Sequence, residues 1–291
     1  MIAIIDIGSN SVRLMLSENG VAMSKRVRTS RLGDGLAMTG VLRVERMECT
    51  LSIIKEYIDI ARGEGVEQIF IYATEAVRVA TNRDIFLDMV QEETGISVDV
   101  VPSEVEARLG FIGAYTGVGN IAVVDIGGAS TEIIVGNESG IRYAQSVHIG
   151  CVRMRDKCGE DDALLDEYIT AMIEEYGNIP CDIDRAIFVA GTASTVAMML
   201  ERTDEYDVSR LDGIDISIED IRELLALVKA TPIDERETIV GLPRDRADIM
   251  YGGIKLIERL LTRLGVTHFQ FSDRDSLEGY ERYLRTRHII A

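Results

Sequence analysis

Two acid-bearing turns carry the residues of this chain best suited to chemistry. Ile2-Ala3-Ile4-Ile5-Asp6-Ile7-Gly8-Ser9-Asn10-Ser11 returns as Ile121-Ala122-Val123-Val124-Asp125-Ile126-Gly127-Gly128-Ala129-Ser130, offset by 119 residues, with Asp, Ile, Gly and Ser in register. Each copy ends an apolar strand on a carboxylate, turns through small residues, Thr131 closing the second turn, and resumes an apolar run. Such a hairpin turn exposes backbone N–H groups beside an acid, an arrangement that suits phosphate and a divalent cation. Gly8, Ser9, Asn10 and Ser11 in one copy, and Gly127, Gly128, Ala129, Ser130 and Thr131 in the other, are therefore expected to hold phosphoryl oxygens. A third small-residue turn, Gly191-Thr192-Ala193-Ser194-Thr195, lies between an apolar strand and an apolar helix. Its N–H groups would sit at a helix N-terminus, again a favourable place for phosphate.

Asp125 and Glu132 stand seven residues apart, on the two arms of one hairpin, where both can face the turn. They are the expected ligands of a metal or of water, and magnesium (or manganese) takes one or two carboxylates plus waters and phosphate. Asp6 is the symmetry mate of Asp125, but its copy has Arg13 where Glu132 stands. Asp6 reads equally as a metal contact through water and as a turn cap. Ser103-Glu104-Val105-Glu106 has the S-x-x-E spacing of a helix capping box, and local spacing by itself assigns Glu106 to that box.

A second echo, Phe70 to Thr74 against Phe188 to Thr192 at an offset of 118, extends the repeat. A period this long in 291 residues means two similar domains, placed at 1–118 and 119–291, with the final helix free to pack back on the first. Strands are expected at 2–7, 12–17, 21–28, 67–73 and 96–101, with helices at 44–63 and 82–94 and one starting at Ser103. Thr116 to Asn120 is read as the linker. Strands at 121–126, 131–136, 141–148, 185–190 and 267–271 follow, with helices at 161–176, 195–201, 217–229, an unusually long one at 245–264, and one from about 274. This β-β-β-α-β order predicts α/β domains with mixed sheets.

The chain carries 49 acidic and 31 basic residues, a net charge of −18 that opposes binding to nucleic-acid polymers. Within 24–46, however, Lys25, Arg26, Arg28, Arg31, Arg43 and Arg46 face only Asp34 and Glu45. Charges alone make this a solvated face; beside a cleft it could guide a polyanion, with Arg28 and Arg31 as contacts. Cys49, Cys151, Cys158 and Cys181 show no zinc or redox spacing and are expected as reduced thiols. No apolar run spans a bilayer and the N-terminus enters a strand directly, so a soluble, cytoplasmic protein without membrane partners is expected.

Together with Leu32-Gly33-Asp34-Gly35-Leu36, Ala73-Thr74-Glu75-Ala76-Val77-Arg78 and Glu104-Val105-Glu106-Ala107-Arg108-Leu109, the three turns resemble the exopolyphosphatase / guanosine pentaphosphate phosphohydrolase family, from residue 2 to about 280. The resemblance implies two duplicated actin-like (ribonuclease H-like) domains around a cleft, and magnesium-assisted release of orthophosphate from the end of polyphosphate or from pppGpp. It implies Glu106 as the catalytic glutamate that orients or deprotonates water, against the capping box. It also implies Arg78 as a phosphate contact, whereas Arg108 could pair with Glu104 one turn away. A helix N-terminus would lower the pKa of Glu106, favouring water positioning over proton removal. Ala129 stands where the family has glycine, and Phe271 to Gly279 follow the closing motif only loosely. Exopolyphosphatase activity is the expected function and pppGpp 5′-phosphohydrolysis its rival. An ATP-dependent small-molecule kinase or a nucleotide-gated binding protein of the same superfamily stands further off, and a homodimer stays open.

Overall fold

The computed structural model describes residues 1–115 and 117–290, so Thr116 of the expected linker lies outside the described residues. The first half runs β1 (Ile2–Ile7), β2 (Ser11–Glu18), β3 (Val21–Thr29), α1 (Leu36–Thr39), α2 (Val44–Gly63), β4 (Gln68–Ala73), α3 (Glu75–Val79), α4 (Arg83–Thr94), β5 (Val98–Val100) and α5 (Ser103–Ala114). The second runs β6 (Ile121–Ile126), β7 (Thr131–Asn137), β8 (Gly140–Val147), α6 (Cys151–Cys158), α7 (Asp162–Glu174), β9 (Arg185–Val189), α8 (Ala190–Glu201), α9 (Val208–Leu211), β10 (Asp215–Ser217), α10 (Ile218–Ala230), α11 (Met250–Leu264), β11 (His268–Phe271) and α12 (Ser276–Thr286). No helix among the described residues is long and apolar enough to cross a membrane.

One sheet has the order β3-β2-β1-β4-β5 and the other β10-β11-β9-β6-β7-β8, so each contains the same meander with a parallel neighbour on its inner side. Asn19-Gly20, both with positive φ, make the tight turn between β2 and β3, as an Asn-Gly pair between alternating strands should. The central strand β1 is buried along all six residues, because helices cover both of its faces.

Helices α2 and α4 close one face of the first sheet around Ile5, Ile54, Tyr57 and Phe86. The matching face of the second sheet packs on α6, α7, α8, α10 and α11. The other faces are covered crosswise. Ala107, Phe111 and Ala114 of α5 cover Ile121, Val123 and Ile187 of the second sheet. Leu277, Tyr280 and Leu284 of α12 cover Ile4, Met15 and Tyr72 of the first.

Three expected elements change. The helix expected at 195–201 starts at Ala190, whose left-handed φ of 63° turns β9 straight into α8. The long helix expected at 245–264 begins only at Met250, after a 3-10 turn at Arg244–Arg246, and the 20-residue α2 is the longest instead. The capping box at Ser103 does not form. The helix starts one residue early, with Pro102 as its N-cap and Ser103 already in the first turn, no side chain caps it, and the Glu106 carboxylate accepts from Arg78 instead.

Helices α5 and α12 run antiparallel with their backbones nearly touching. A Cβ on Gly113 would fall 1.9 Å from the Asp275 carbonyl oxygen, and one on Gly279 would fall 1.9 Å from that of Leu109. Even a methyl group there must part the helices. Gly113→Ala and Gly279→Ala are each expected to destabilise the protein by about 1–3 kcal/mol, read from denaturant midpoints. Wild-type midpoints would show that this crossing does not set the packing.

Candidate active site

Strand register brings the two acid-bearing turns into equivalent positions. Asp6 lies opposite Arg13 across β1 and β2, and Asp125 opposite Glu132 across β6 and β7. In each hairpin the first glycine, Gly8 or Gly127, donates its N–H to the carbonyl of Ser11 or Ser130 at 3.0 Å. The next N–H groups, from Ser9, Asn10, Gly128 and Ala129, meet no backbone acceptor among the described residues, whereas the carbonyls of Asn10 and Gly128 are taken by Arg31 and Val152 at 2.8 Å. The donors of both turns are thus left for a ligand. The turns face each other, since a Cβ on Gly128 would come within 3.0 Å of Ser9 Cβ and 3.2 Å of Asn10 N.

Between the domains lies a cavity of about 320 Å³ lined by both turns, by the start of α8 and by Glu106, Asp125 and Glu132. Asn10 is buried there with neither polar atom of its amide paired. Gly191 lies in the first turn of α8 rather than in a loop, and the Arg246 guanidinium rests against it, 2.2 Å from where a Cβ would be. Arg246 forms no ion pair among the described residues, and burial lowers its pKa. An unpaired guanidinium at a helix N-terminus in a cleft is a ready anion contact. Thr192 and Thr131 instead brace the hairpin, their hydroxyls donating to the carbonyls of Ile126 at 2.9 Å and Ile149 at 2.6 Å.

The carboxylates outnumber the cations that face them. Asp6 is claimed by Arg13, whose Nε donates to Asp6 Oδ2 at 2.7 Å and whose guanidinium also pairs with Asp275, the N-cap of α12. Its other oxygen is buried without a partner. Glu132 accepts from the Ser146 hydroxyl. Glu106 accepts from Arg78 Nη1 at 2.7 Å. Asp125 has no ion pair among the described residues.

Burial raises the pKa of all four acids. Arg78 and Arg13 oppose it, while the acids reinforce one another. Glu106 and Asp125 are each pushed up to about 7, and Glu132 is raised well above the ordinary range. The expected lowering of Glu106 is therefore overturned, because desolvation outweighs the helix terminus.

This oxygen donor set fits a divalent cation, which would relieve the shared negative charge. No cluster of three or more His, Cys, Asp or Glu side chains suited to a metal occurs among the described residues. The fit is for an ion held by Asp125 and Glu132 with water and phosphate completing its shell, while Asp6 is engaged by Arg13.

The arginines depart from expectation. Arg78 is not on the cavity wall: it sits behind Glu106, bonded also to Glu75 at 2.6 Å and to the Val101 carbonyl at 2.7 Å. Arg28 pairs with Glu56 at 2.9 Å, out over α2, and Arg31 reaches across the cleft mouth to Asp248 at 2.9 Å. Lys25 bonds Glu278 at 2.6 Å, and Arg46 bonds Asp34 at 3.0 Å. The basic segment is thus largely neutralised by its own partners, and only Arg26 among its cations lines the cavity without an ion pair among the described residues. Arg108 is exposed and forms no ion pair with Glu104 among the described residues. Sequence reasoning missed Arg13 as an organiser of Asp6, Glu75 beneath Arg78, and Arg246, which lies in a short 3-10 turn with no motif around it.

Facing actin-like halves that present backbone donors to one acidic cleft belong to the phosphoryl-transfer class. The profile of the Ppx/GppA phosphatase family matches residues 16–282, and the chain belongs to that family. It is 29% identical to a Mycobacterium tuberculosis protein named exopolyphosphatase 2, over 96% of both chains. It is 31% identical to a guanosine-5′-triphosphate,3′-diphosphate pyrophosphatase of Aliivibrio fischeri, over 84% of this chain but 47% of that one, so it spans about half the length of that relative. The crystal structure of an exopolyphosphatase from Cytophaga hutchinsonii superposes with a TM-score of 0.88 at 26% identity, covering 99% of this chain and 98% of that one.

The raised carboxyls have a thermodynamic consequence. Between their ordinary values of 3.8 and 4.5 and about 7, folded Asp125 and Glu106 keep protons that the unfolded chain has lost. Stability therefore falls as pH rises through that window. Without divalent ions, Tm is expected to be higher at about pH 5.5 than at about pH 8, and magnesium should raise it mainly at the higher pH. A pH-independent Tm, or equal magnesium shifts at both, would contradict the charge assignment.

Proposed function

We propose that the protein is an exopolyphosphatase, releasing orthophosphate from the end of inorganic polyphosphate with magnesium or manganese. The observation that carries this is the cleft itself: turn N–H groups, the Asn10 amide and the Arg246 guanidinium, without partners among the described residues, opposite a set of mostly shielded acids. The relative matched end to end bears the name exopolyphosphatase 2, whereas the pyrophosphatase relative is twice as long.

The terminal phosphoryl group rests on the N–H groups of Ser9, Asn10, Gly128 and Ala129, the Gly8 and Gly127 N–H groups being used within their own hairpins. Glu106, ionised and steered by Arg78, accepts the proton of a water aimed at the terminal phosphorus. The water oxygen forms the new P–O bond, the bridging P–O bond breaks, and its electron pair leaves with the shortened chain. A divalent ion on Asp125 and Glu132 would offset charge on the phosphoryl oxygens.

One observation favours pppGpp as the second reading. Met198, Ile249 and Phe271 form an apolar wall of the cavity, and Tyr206, half exposed at its lip, could cover a purine. The paired state of Arg28 and Arg31 also weakens the steering argument for a long polyanion.

Glu106→Gln is expected to lower phosphate release by about 10²-fold with folding intact, and unchanged turnover would remove Glu106 from the reaction. Asp125→Asn should raise the magnesium concentration for half-maximal rate, with a sub-additive effect when combined with Glu132→Gln. Arg246→Ala should raise KM by about tenfold, the scale of one charged hydrogen bond. Phosphate release from long polyphosphate, short polyphosphate, pppGpp and ATP decides the substrate: a higher kcat/KM for pppGpp would replace the first reading by the second.

A further inference from the structure

Glu75, the first residue of α3, is almost wholly buried at 1% exposure and touches groups from both domains. Its Oε2 accepts from Arg78 Nη2 at 2.6 Å, and the other branch of that guanidinium holds Glu106 at 2.7 Å. Its Oε1 accepts from Arg153 Nη2 at 3.2 Å, and Arg153 Nε donates to the Ala129 carbonyl at 2.8 Å, on the back of the second phosphate turn. The exposed His148 ring reaches the same Oε1 at 2.6 Å. Two guanidiniums and one carboxylate thus join the water-orienting acid of the first domain to the phosphate turn of the second, with no other protein group in the chain of bonds. Burial opposes the charge on Glu75, but His148 and Arg78 overcome it and keep the carboxylate ionised.

We propose that Glu75 is a positioning residue that ties the aim of Glu106 to the seat of the phosphate turn in the opposite domain, through Arg78 on one oxygen and Arg153 on the other. A guanidinium with two carboxylate partners has fixed orientation, whereas one with a single partner can swing. Loss of Glu75 would leave Arg78 held only through Nη1, by Glu106 and the Val101 carbonyl, so that the guanidinium could pivot about that nitrogen and carry Glu106 off the line of attack. Loss of the Arg153 side chain would untie Glu75 from the Ala129 carbonyl, while the Val152 and Arg153 backbone N–H groups still hold the turn through the Gly128 carbonyl. The terminal phosphate would still bind to turn donors that neither residue supplies, so the effect belongs in kcat and not in KM. The proposal rests on Glu106 orienting water, and it adds a requirement that the two domains meet through Glu75 before Glu106 is aligned.

The test is Glu75→Gln, Arg153→Met, Arg153→Lys and the Glu75→Gln/Arg153→Met double variant. Each is assayed with magnesium and short-chain polyphosphate or pppGpp, whichever the wild type cleaves faster, at a temperature well below its own Tm. Each of the two single neutralising variants is expected to lose on the order of 10²-fold in kcat, as small misplacements do, with KM within about threefold. The double variant should be no worse than the poorer single, and Arg153→Lys should recover part of the loss. Additive losses, a loss carried by KM, or wild-type kcat would overturn it. Glu106→Gln, run alongside, separates the readings: if it is inactive while Glu75→Gln is normal, only the present proposal falls. A substrate-free crystal structure of Glu75→Gln decides without activity. Arg78 displaced from Glu106 supports the link, and Arg78 unmoved refutes it.

Discussion

The backbone contact between α5 and α12 is the constraint on which the rest of the structure hangs. It is possible only because Gly113 and Gly279 present no side chains where the helices meet. Helix α5 begins three residues before Glu106 and buries its far end on the second sheet. Helix α12 begins at Asp275, whose carboxylate holds Arg13 and, through it, Asp6. The two helices therefore fix Glu106 and the first acid-bearing turn in one frame, and each also covers the apolar face of a sheet. Packing and chemistry share the same few ångströms of backbone.

Duplication supplies two hairpins of the same shape, and a single exchange makes them different. Where Glu132 faces Asp125, the first copy has Arg13 facing Asp6. One hairpin is electrically closed, and the other keeps two carboxylates, Glu132 buried and Asp125 partly so, with no cation paired to either among the described residues. Burying like charges is costly unless a cation or proton compensates, and the raised pKa values of Glu106, Asp125 and Glu132 record that cost. Symmetry provides two facing turns with free N–H donors; the break in symmetry localises the demand for positive charge on one side of them.

The hairpins, sheets and most helices were legible because their signals are local: repeated apolar runs, an Asn-Gly turn, glycines closing α4 and α11. So was the geometry of the two acid-bearing turns, since small residues after an acid define it. Side-chain roles that depend on distant partners were not. Arg78 turned inward because Glu75 and Glu106 flank it, and Arg31 turned to Asp248, 217 residues away. The capping box at Ser103 failed because the helix begins one residue earlier, at the Pro102 cap, and Arg78, distant in sequence, takes the Glu106 carboxylate. Arg246 carries no spacing signature at all; only the closeness of Gly191 reveals it.

The crosswise covering of the sheets also bears on how the chain comes to be folded. Ile4, Met15 and Tyr72 lie on strands made early, yet the residues that shield them, Leu277, Tyr280 and Leu284, come from α12, after every strand of the second sheet. The first half thus waits as a sheet with one bare face while the second is translated, a period on the order of ten seconds or more at ordinary synthesis rates. Until α12 arrives that face stays open to water, and the halves of this protein are duplicated in design but not independent in assembly.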